Sequence, residues 1–235
     1  MGIYKNITEL KNIHHNEDIW CIAAGSSMDF IDSSFFEGKI VIGQNQVYKK
    51  YPCSYIVMKD LMESPRFPRS IKEIESKNIP LIYSKHFKGH YSEYLNQTHY
   101  TNSYVFDHVD NLLHTSEHLK CIEKDIFSKT GGKLFVARKS TMTSIMHIAA
   151  YMGAKNIIVC GVDCGTMNGN LYYENYTESD WISADNWTNA SGWIQGTSDH
   201  NLTIRDKIKE VYNCNIHSLN PFMNFKLDGN EFTPC

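Results

Sequence analysis

Short apolar runs alternate along this chain with polar or helix-patterned stretches. The clearest of them spans Thr141 to Asp163. Met142, Ile145, Met146, Ala149 and Met152 recur there at helical spacing, which predicts an amphipathic helix. Gly153 stands where a helix C-terminus favours a left-handed residue. Ile157, Ile158 and Val159 then form a β-branched run typical of a strand buried on both faces, and the run closes on Gly161-Val162-Asp163. A helix feeding a buried strand is half of a parallel α/β unit. In such sheets ligands bind outside the carboxyl ends of the strands.

The remaining runs fit the same plan. Asp18 to Ala24 predicts a first strand, followed at once by Gly25-Ser26-Ser27 and a helix-like Met28–Phe36. Small residues between strand and helix are the arrangement that offers backbone N–H groups to a phosphate. Strands are also predicted over Lys39–Gly43, ending in Gln44-Asn45-Gln46, and over Ser54–Met58, ending in Lys59-Asp60. Polar ends on successive apolar runs place Ser26, Asn45 and Asp60 along one sheet edge. A charged helix follows over Arg69–Asn78, then a strand over Pro80–Ser84. From Lys85 to Leu119 the chain is polar and aromatic, and His86, His90, His99, His108 and His114 lie there at irregular spacing, as surface histidines would. Arg138-Lys139-Ser140-Thr141 leads into the predicted helix, with Ser140 or Thr141 as its N-cap. His147, in mid-helix, reads as packed rather than catalytic.

Beyond Asp163 the pattern changes. Asn168 to Asp199 is rich in Asn, Trp and Tyr and has almost no aliphatic periodicity, which predicts a lid or binding loop over about residues 165–199. Trp181, Trp187 and Trp193 argue against plain disorder. A final helix is expected from His200 through Tyr212 and a last strand over Asn215–Leu219. The pattern predicts one α/β domain over residues 1–235: a Rossmann-like, doubly wound, mostly parallel sheet with a Trp/Asn-rich lid.

Composition narrows the chemistry. A net charge of −3 gives no field that would draw nucleic acid, so anions must be held by local groups. The seven cysteines are scattered, and Cys160 and Cys164 have no second pair to complete a zinc site. Reduced thiols in a cytoplasmic chain are the expectation. The first residues lack a signal-peptide pattern and no run is long enough to span a bilayer.

Several of these residues resemble a known family. They are Gln44-Asn45-Gln46 after a strand; Arg138-Lys139-Ser140-Thr141 at a helix start; Gly153 through Asp163; Asn168-Gly169-Asn170-Leu171-Tyr172 beyond it; and a histidine ahead of the last helix with an Asn220-Pro221 turn. Together they look like the bacterial sialyltransferases of lipooligosaccharide synthesis, which use CMP-sialic acid, and share a pattern with flagellin-modifying glycosyltransferases. The resemblance implies an inverting, metal-independent transferase with no cofactor beyond its CMP-linked nonulosonic acid donor, and a glycan acceptor. It implies His200 as general base and Tyr172 as an aid to the departing phosphate. Gly25, Ser26, Asn45, Arg138, Ser140, Thr141, Gly161 and Asp163 would line the donor site, with Asp163 toward the nucleotide ribose. A homo-oligomer and a place at the inner face of the cell membrane are compatible with that family. Two departures stand out. The family's Gly-Asn-Gly-Pro-Ser loop reads Ala23-Ala24-Gly25-Ser26-Ser27 here, and a second family tyrosine falls at Gly165, leaving Tyr173 or Tyr176 to replace it. The alternative from another class is a non-catalytic nucleotide-binding module whose Trp-rich loop holds a protein partner.

Overall fold

The structure, a computed structural model, describes residues 4–58, 66–84, 100–106, 140–163, 170, 172–176 and 191–219. Eight strands form one sheet in the order β1-β6-β5-β4-β3-β2-β7-β8, and each neighbouring pair is parallel. They are β1 (Lys5–Asn6), β2 (Asp18–Ile22), β3 (Ile40–Gln44), β4 (Tyr55–Met58), β5 (Leu81–Ser84), β6 (Ser103–Phe106), β7 (Asn156–Cys160) and β8 (Asn215–Ser218). Among the described residues three α-helices accompany them: α1 (Arg66–Ser76), α2 (Thr141–Tyr151) and α3 (Ser191–Tyr212). Among the described residues no helix is long and apolar enough to cross a membrane.

Alternation along the strands sorts the core into two layers. Ile19 and Cys21 of β2, with Ile157 and Val159 of β7, face a cluster built with Met142, Ile145, Ile148 and Ala149 of α2 and Ile204 and Ile208 of α3. Ile22, Ile158 and Cys160 face the other way, toward Met28, Phe36, Tyr51 and the α1 residues Ile71 and Ile74. Both faces of the sheet are therefore covered, which is why these strands read as continuous apolar runs. The predicted doubly wound α/β class is the observed one.

From β2 the chain works outward through β3, β4, β5 and β6, whereas β7 returns to the other side of β2 and β8 lies beyond it. The order reverses between β2 and β7, and open α/β sheets bind ligands at such a switch point. Helix α2 runs into β7 and packs on β2, β3, β4 and β7. Its N-cap is Ser140, whose Oγ accepts the Met142 N–H at 3.2 Å. The C-terminus of α2 is held by the segment before β2. The N–H groups of Asn12, His14 and Asn16 donate to the carbonyls of Tyr151, Met152 and Gly153 at 3.1, 2.9 and 2.9 Å. His147 is buried in the middle of α2, its Nε2 2.9 Å from the Tyr212 hydroxyl, and burial pulls its pKa down to about 3. It is a packed, neutral ring.

Some expectations change. The helix-like Met28–Phe36 is two short 3-10 helices, Ser26–Phe30 and Ser33–Phe36, because Asp32 breaks the run and caps the second through the Ser34 N–H. Between β1 and β2 a 3-10 helix spans Ile7–Leu10, where Ile7 and Leu10 are buried. Strands β1 and β6 escape the sequence reading, being short and, for β6, set in a polar stretch. The last helix begins at Ser191, not at His200, so the end of the predicted lid, with Trp193, is helical. Asp60, the five histidines from His86 to His114, Cys164, Gly165, Trp181, Trp187 and Asn220-Pro221 lie outside the described residues, as does most of the predicted lid.

Ile148 is fully buried between α2 and the sheet. Ile148→Ala is expected to cost ~2–5 kcal/mol of unfolding free energy. Ile13→Ala, at a side chain 43% exposed, should stay within ~0.5 kcal/mol. Urea titrations of both variants check this; equal losses would contradict the layer assignment.

Candidate functional site

The site is built at the switch point by backbone pairing that continues past the strand ends. The Ala23 N–H donates to the Cys160 carbonyl and the Gly25 N–H to the Gly161 carbonyl, each at 2.9 Å. Two glycines make this approach possible. Gly161 has φ +69°, and a Cβ on it would lie 2.5 Å from the Ala23 carbonyl oxygen and 2.6 Å from Met28 Cγ. A Cβ on Gly25 would lie 2.5 Å from Asp163 Cγ. Any side chain at either position pushes the two strand ends apart.

Asp163 sits beneath the loop that this pairing brings over it. Its carboxylate accepts the Ser27 N–H at 2.7 Å on Oδ2 and the Ser27 hydroxyl at 2.5 Å on Oδ1. Ser26 Oγ lies 3.4 Å from Oδ2 and 3.0 Å from the Asn170 carbonyl oxygen. One hydroxyl hydrogen serves one acceptor well, and the shorter contact is the one to Asn170. Asp163 is buried, and burial raises its pKa above the ordinary carboxylate value against the opposing pull of the serine hydrogen bonds.

Next to the loop runs the segment carrying Tyr172. Gly25 and Tyr172 form an antiparallel bridge, and the Tyr173 N–H donates to the Ala24 carbonyl at 3.0 Å. Tyr173 is buried against Tyr51, with ring centroids 5.5 Å apart, whereas Tyr172 and Tyr176 are half-buried with their rings 5.0 Å apart. Gly25, Ser26, Gly161, Asp163 and Tyr172 are therefore one connected structure. The adjacent strand β3 ends in Gln44, and Asn45 follows with φ +51°, a left-handed conformation that Asn tolerates. Its N–H still donates to the Val57 carbonyl at 3.0 Å. Ser140 and Thr141 start α2 at the same edge of the sheet, because a helix that feeds a parallel strand begins where the strands end.

The loop does not offer all its amides as the sequence suggested. The N–H groups of Gly25, Ser27 and Met28 are occupied by Gly161, Asp163 and Gly25. His200 lies inside α3, well past its first turn, because the helix starts early. Arg138 lies outside the described residues. Two residues escaped the sequence reading. Ser27 is the main partner of Asp163. Gln46 is buried beside Asn45, and its Oε1 has no hydrogen-bond partner among the described residues. A polar Gln44-Asn45-Gln46 strand end was the signal for the latter. No cluster of three or more His, Cys, Asp or Glu side chains gathers among the described residues.

No protein-family model matches the chain, and no curated protein matches it in sequence. Solved structures do. It is similar to the monofunctional α-2,3-sialyltransferase Cst-I from Campylobacter jejuni, with TM-score 0.57 and 16% identity over 94% of this chain and 81% of that one. The fold is that of the Campylobacter sialyltransferases. The sialyltransferase CstII from the same organism is also similar, in its complex with cytidine-5′-monophosphate (TM-score 0.52, 15% identity, 89% of this chain and 82% of that one). Its complex with CMP-3FNeuAc gives TM-score 0.54 at 15% identity, over 94% of this chain and 88% of that one. At such identities the likeness establishes the architecture.

The Asp163 clamp carries a signed pH dependence. Between 3.8 and its raised pKa the folded chain keeps a proton that the unfolded chain has lost, so this group's contribution falls as pH rises through that window. The stability of the native sequence relative to Asp163→Asn should therefore decline from the ordinary carboxylate range toward neutrality, as read by urea unfolding across pH. A rise instead would mean that the serine hydrogen bonds outweigh burial.

Proposed function

We propose that this chain is a glycosyltransferase that moves a sialic-acid-type sugar from a CMP donor to a hydroxyl of a glycan acceptor, with inversion and without a metal. The observation that carries the reading is the edge built at the switch point between β2 and β7. Its serine loop is clamped by Asp163 and bridged to Tyr172, on a fold shared with sialyltransferases solved with CMP and CMP-3FNeuAc.

In this reading His200 takes the proton of the acceptor hydroxyl, a task suited to a neutral imidazole titrating near working pH. The acceptor oxygen forms the new bond to the anomeric carbon. The bond from that carbon to the phosphate oxygen breaks on the opposite face, and CMP leaves with the electron pair. Tyr172, Ser140, Thr141 and Arg138 supply hydrogen-bond donors or positive charge where the donor's negative charges lie. Asn45, Gly25, Ser26 and Gly161 shape the donor pocket. Asp163 acts from beneath as a positioning residue for the serine loop, since its oxygens are engaged by Ser26 and Ser27. The tyrosine beside Tyr172 that completes the phosphate apparatus is Tyr176, half-buried with its ring against that of Tyr172, rather than the buried Tyr173.

A screen of CMP-linked sugars, following released CMP with and without a chelator, tests the reaction. Release from a nonulosonic acid donor, unaffected by the chelator, is expected. His200→Ala should lower transfer by about 10²-fold or more while CMP binding by calorimetry is unchanged. Turnover at the native rate in that variant would remove His200 as base. Failure to bind CMP, together with capture of a protein partner, would favour the non-catalytic module.

A further inference from the structure

We infer that Asp29 is a positioning residue for the tyrosine segment. Its carboxylate latches residues 172–176 onto the serine loop, and turnover depends on the latch being closed. The functional half of this inference rests on the transferase reading; the latch itself does not.

Residues 173–176 form a turn in which the Tyr176 N–H donates to the Tyr173 carbonyl at 3.1 Å and Asn175 is left-handed at φ +65°. That turn leaves the Glu174 N–H facing outward. Asp29 receives it on both carboxylate oxygens, at 3.0 and 2.9 Å. Asp29 belongs to the same 3-10 helix, Ser26–Phe30, that begins with Ser26 and with Ser27, which Asp163 holds. One short element thus has Asp163 beneath its start and the tyrosine turn fastened to its end.

Lys50 bolts the latch from the side. Its Nζ is 2.9 Å from Asp29 Oδ1, 4.7 Å from the centre of the Tyr173 ring and 5.5 Å from that of Tyr51. The Tyr51 hydroxyl in turn donates to the Met28 carbonyl at 2.7 Å, tying the same ring back to the loop. An exposed ion pair contributes little by itself. Here the carboxylate also closes a charge-assisted hydrogen bond to a backbone amide, and the ammonium lies over two aromatic faces. The Gly25–Tyr172 bridge, the Tyr173 N–H to Ala24 and Ser26 Oγ to Asn170 act on the loop side of the turn. Asp29 holds the backbone at Glu174, next to the turn that carries the Tyr176 ring onto those of Tyr172 and Tyr173.

Hydrogen exchange and kinetics on the native protein, Asp29→Ala, Asp29→Asn and Lys50→Met test this. In Asp29→Ala the amides of residues 172–176 should exchange about tenfold faster, while those of Asn156–Cys160 keep their protection. Its kcat should fall by a comparable factor with the dissociation constant for CMP unchanged. Asp29→Asn keeps an acceptor for the Glu174 N–H and should recover most of both; Lys50→Met, which removes only the bolt, should fall between. Native exchange at 172–176 in Asp29→Ala would overturn the latch. Faster exchange with unchanged kcat would overturn its role in turnover. If the native protein releases CMP from no donor, the transferase reading and the turnover role fall together, and the exchange data alone decide the latch.

Discussion

A buried carboxylate organises this edge of the molecule. Asp163 would be costly to bury alone, because an ionised side chain loses its water. It is tolerated because Ser27 meets it with both an amide and a hydroxyl and Ser26 stands beside it. The arrangement runs in both directions. Without the carboxylate, the Ser27 N–H and hydroxyl would be left under a covered loop; without the loop, Asp163 would lose the Ser27 amide and hydroxyl. Gly25 and Gly161 are the condition for either, since a Cβ at one would press on the carboxylate and at the other on the Ala23 carbonyl. The serine loop and the tyrosine bridge both take their positions from this contact.

The central strands were legible because their chemistry is one-dimensional. Ile157-Ile158-Val159, Ile40-Val41-Ile42 and Tyr55-Ile56-Val57 are apolar on both faces, and both faces are covered. The peripheral elements carry weaker signals for a physical reason. β1 is two residues long and gains its identity only by pairing with β6, a contact across 99 positions of chain. The start of α3 was hidden by composition, since Ser191-Gly192-Trp193 and Gly196 have poor intrinsic helix propensity. That tertiary contacts override propensity is visible in the same helix farther on, where Ile204 and Ile208 join the α2 layer.

The site divides along the same line. Gly25, Gly161 and Asp163 could be picked out because they fall at strand ends, a position that the pattern of runs reveals. Asn45 was legible for the same reason, and its left-handed backbone explains why an asparagine suits that turn. Ser27 and Asp29 could not be singled out, because what each does depends on a partner more than a hundred residues away. The N-cap of α2 was narrowed to Ser140 or Thr141, and only geometry separates them. Ser140 has the extended backbone and accepts from Met142, while Thr141 is already helical and buried.

The departure of the first loop from the resembled pattern has a physical reading at Ala24. What this position contributes is its carbonyl, which takes the Tyr173 N–H, and a methyl group buried in the layer that contains Tyr51 and Tyr173. A backbone acceptor works with any side chain above it, so the bridge to the tyrosine segment does not depend on an asparagine there. The polar side chains of this loop are Ser26 and Ser27, where one hydroxyl reaches Asn170 and the other Asp163. Strand pairing and two glycines hold the edge, and the side chains between them are free to change.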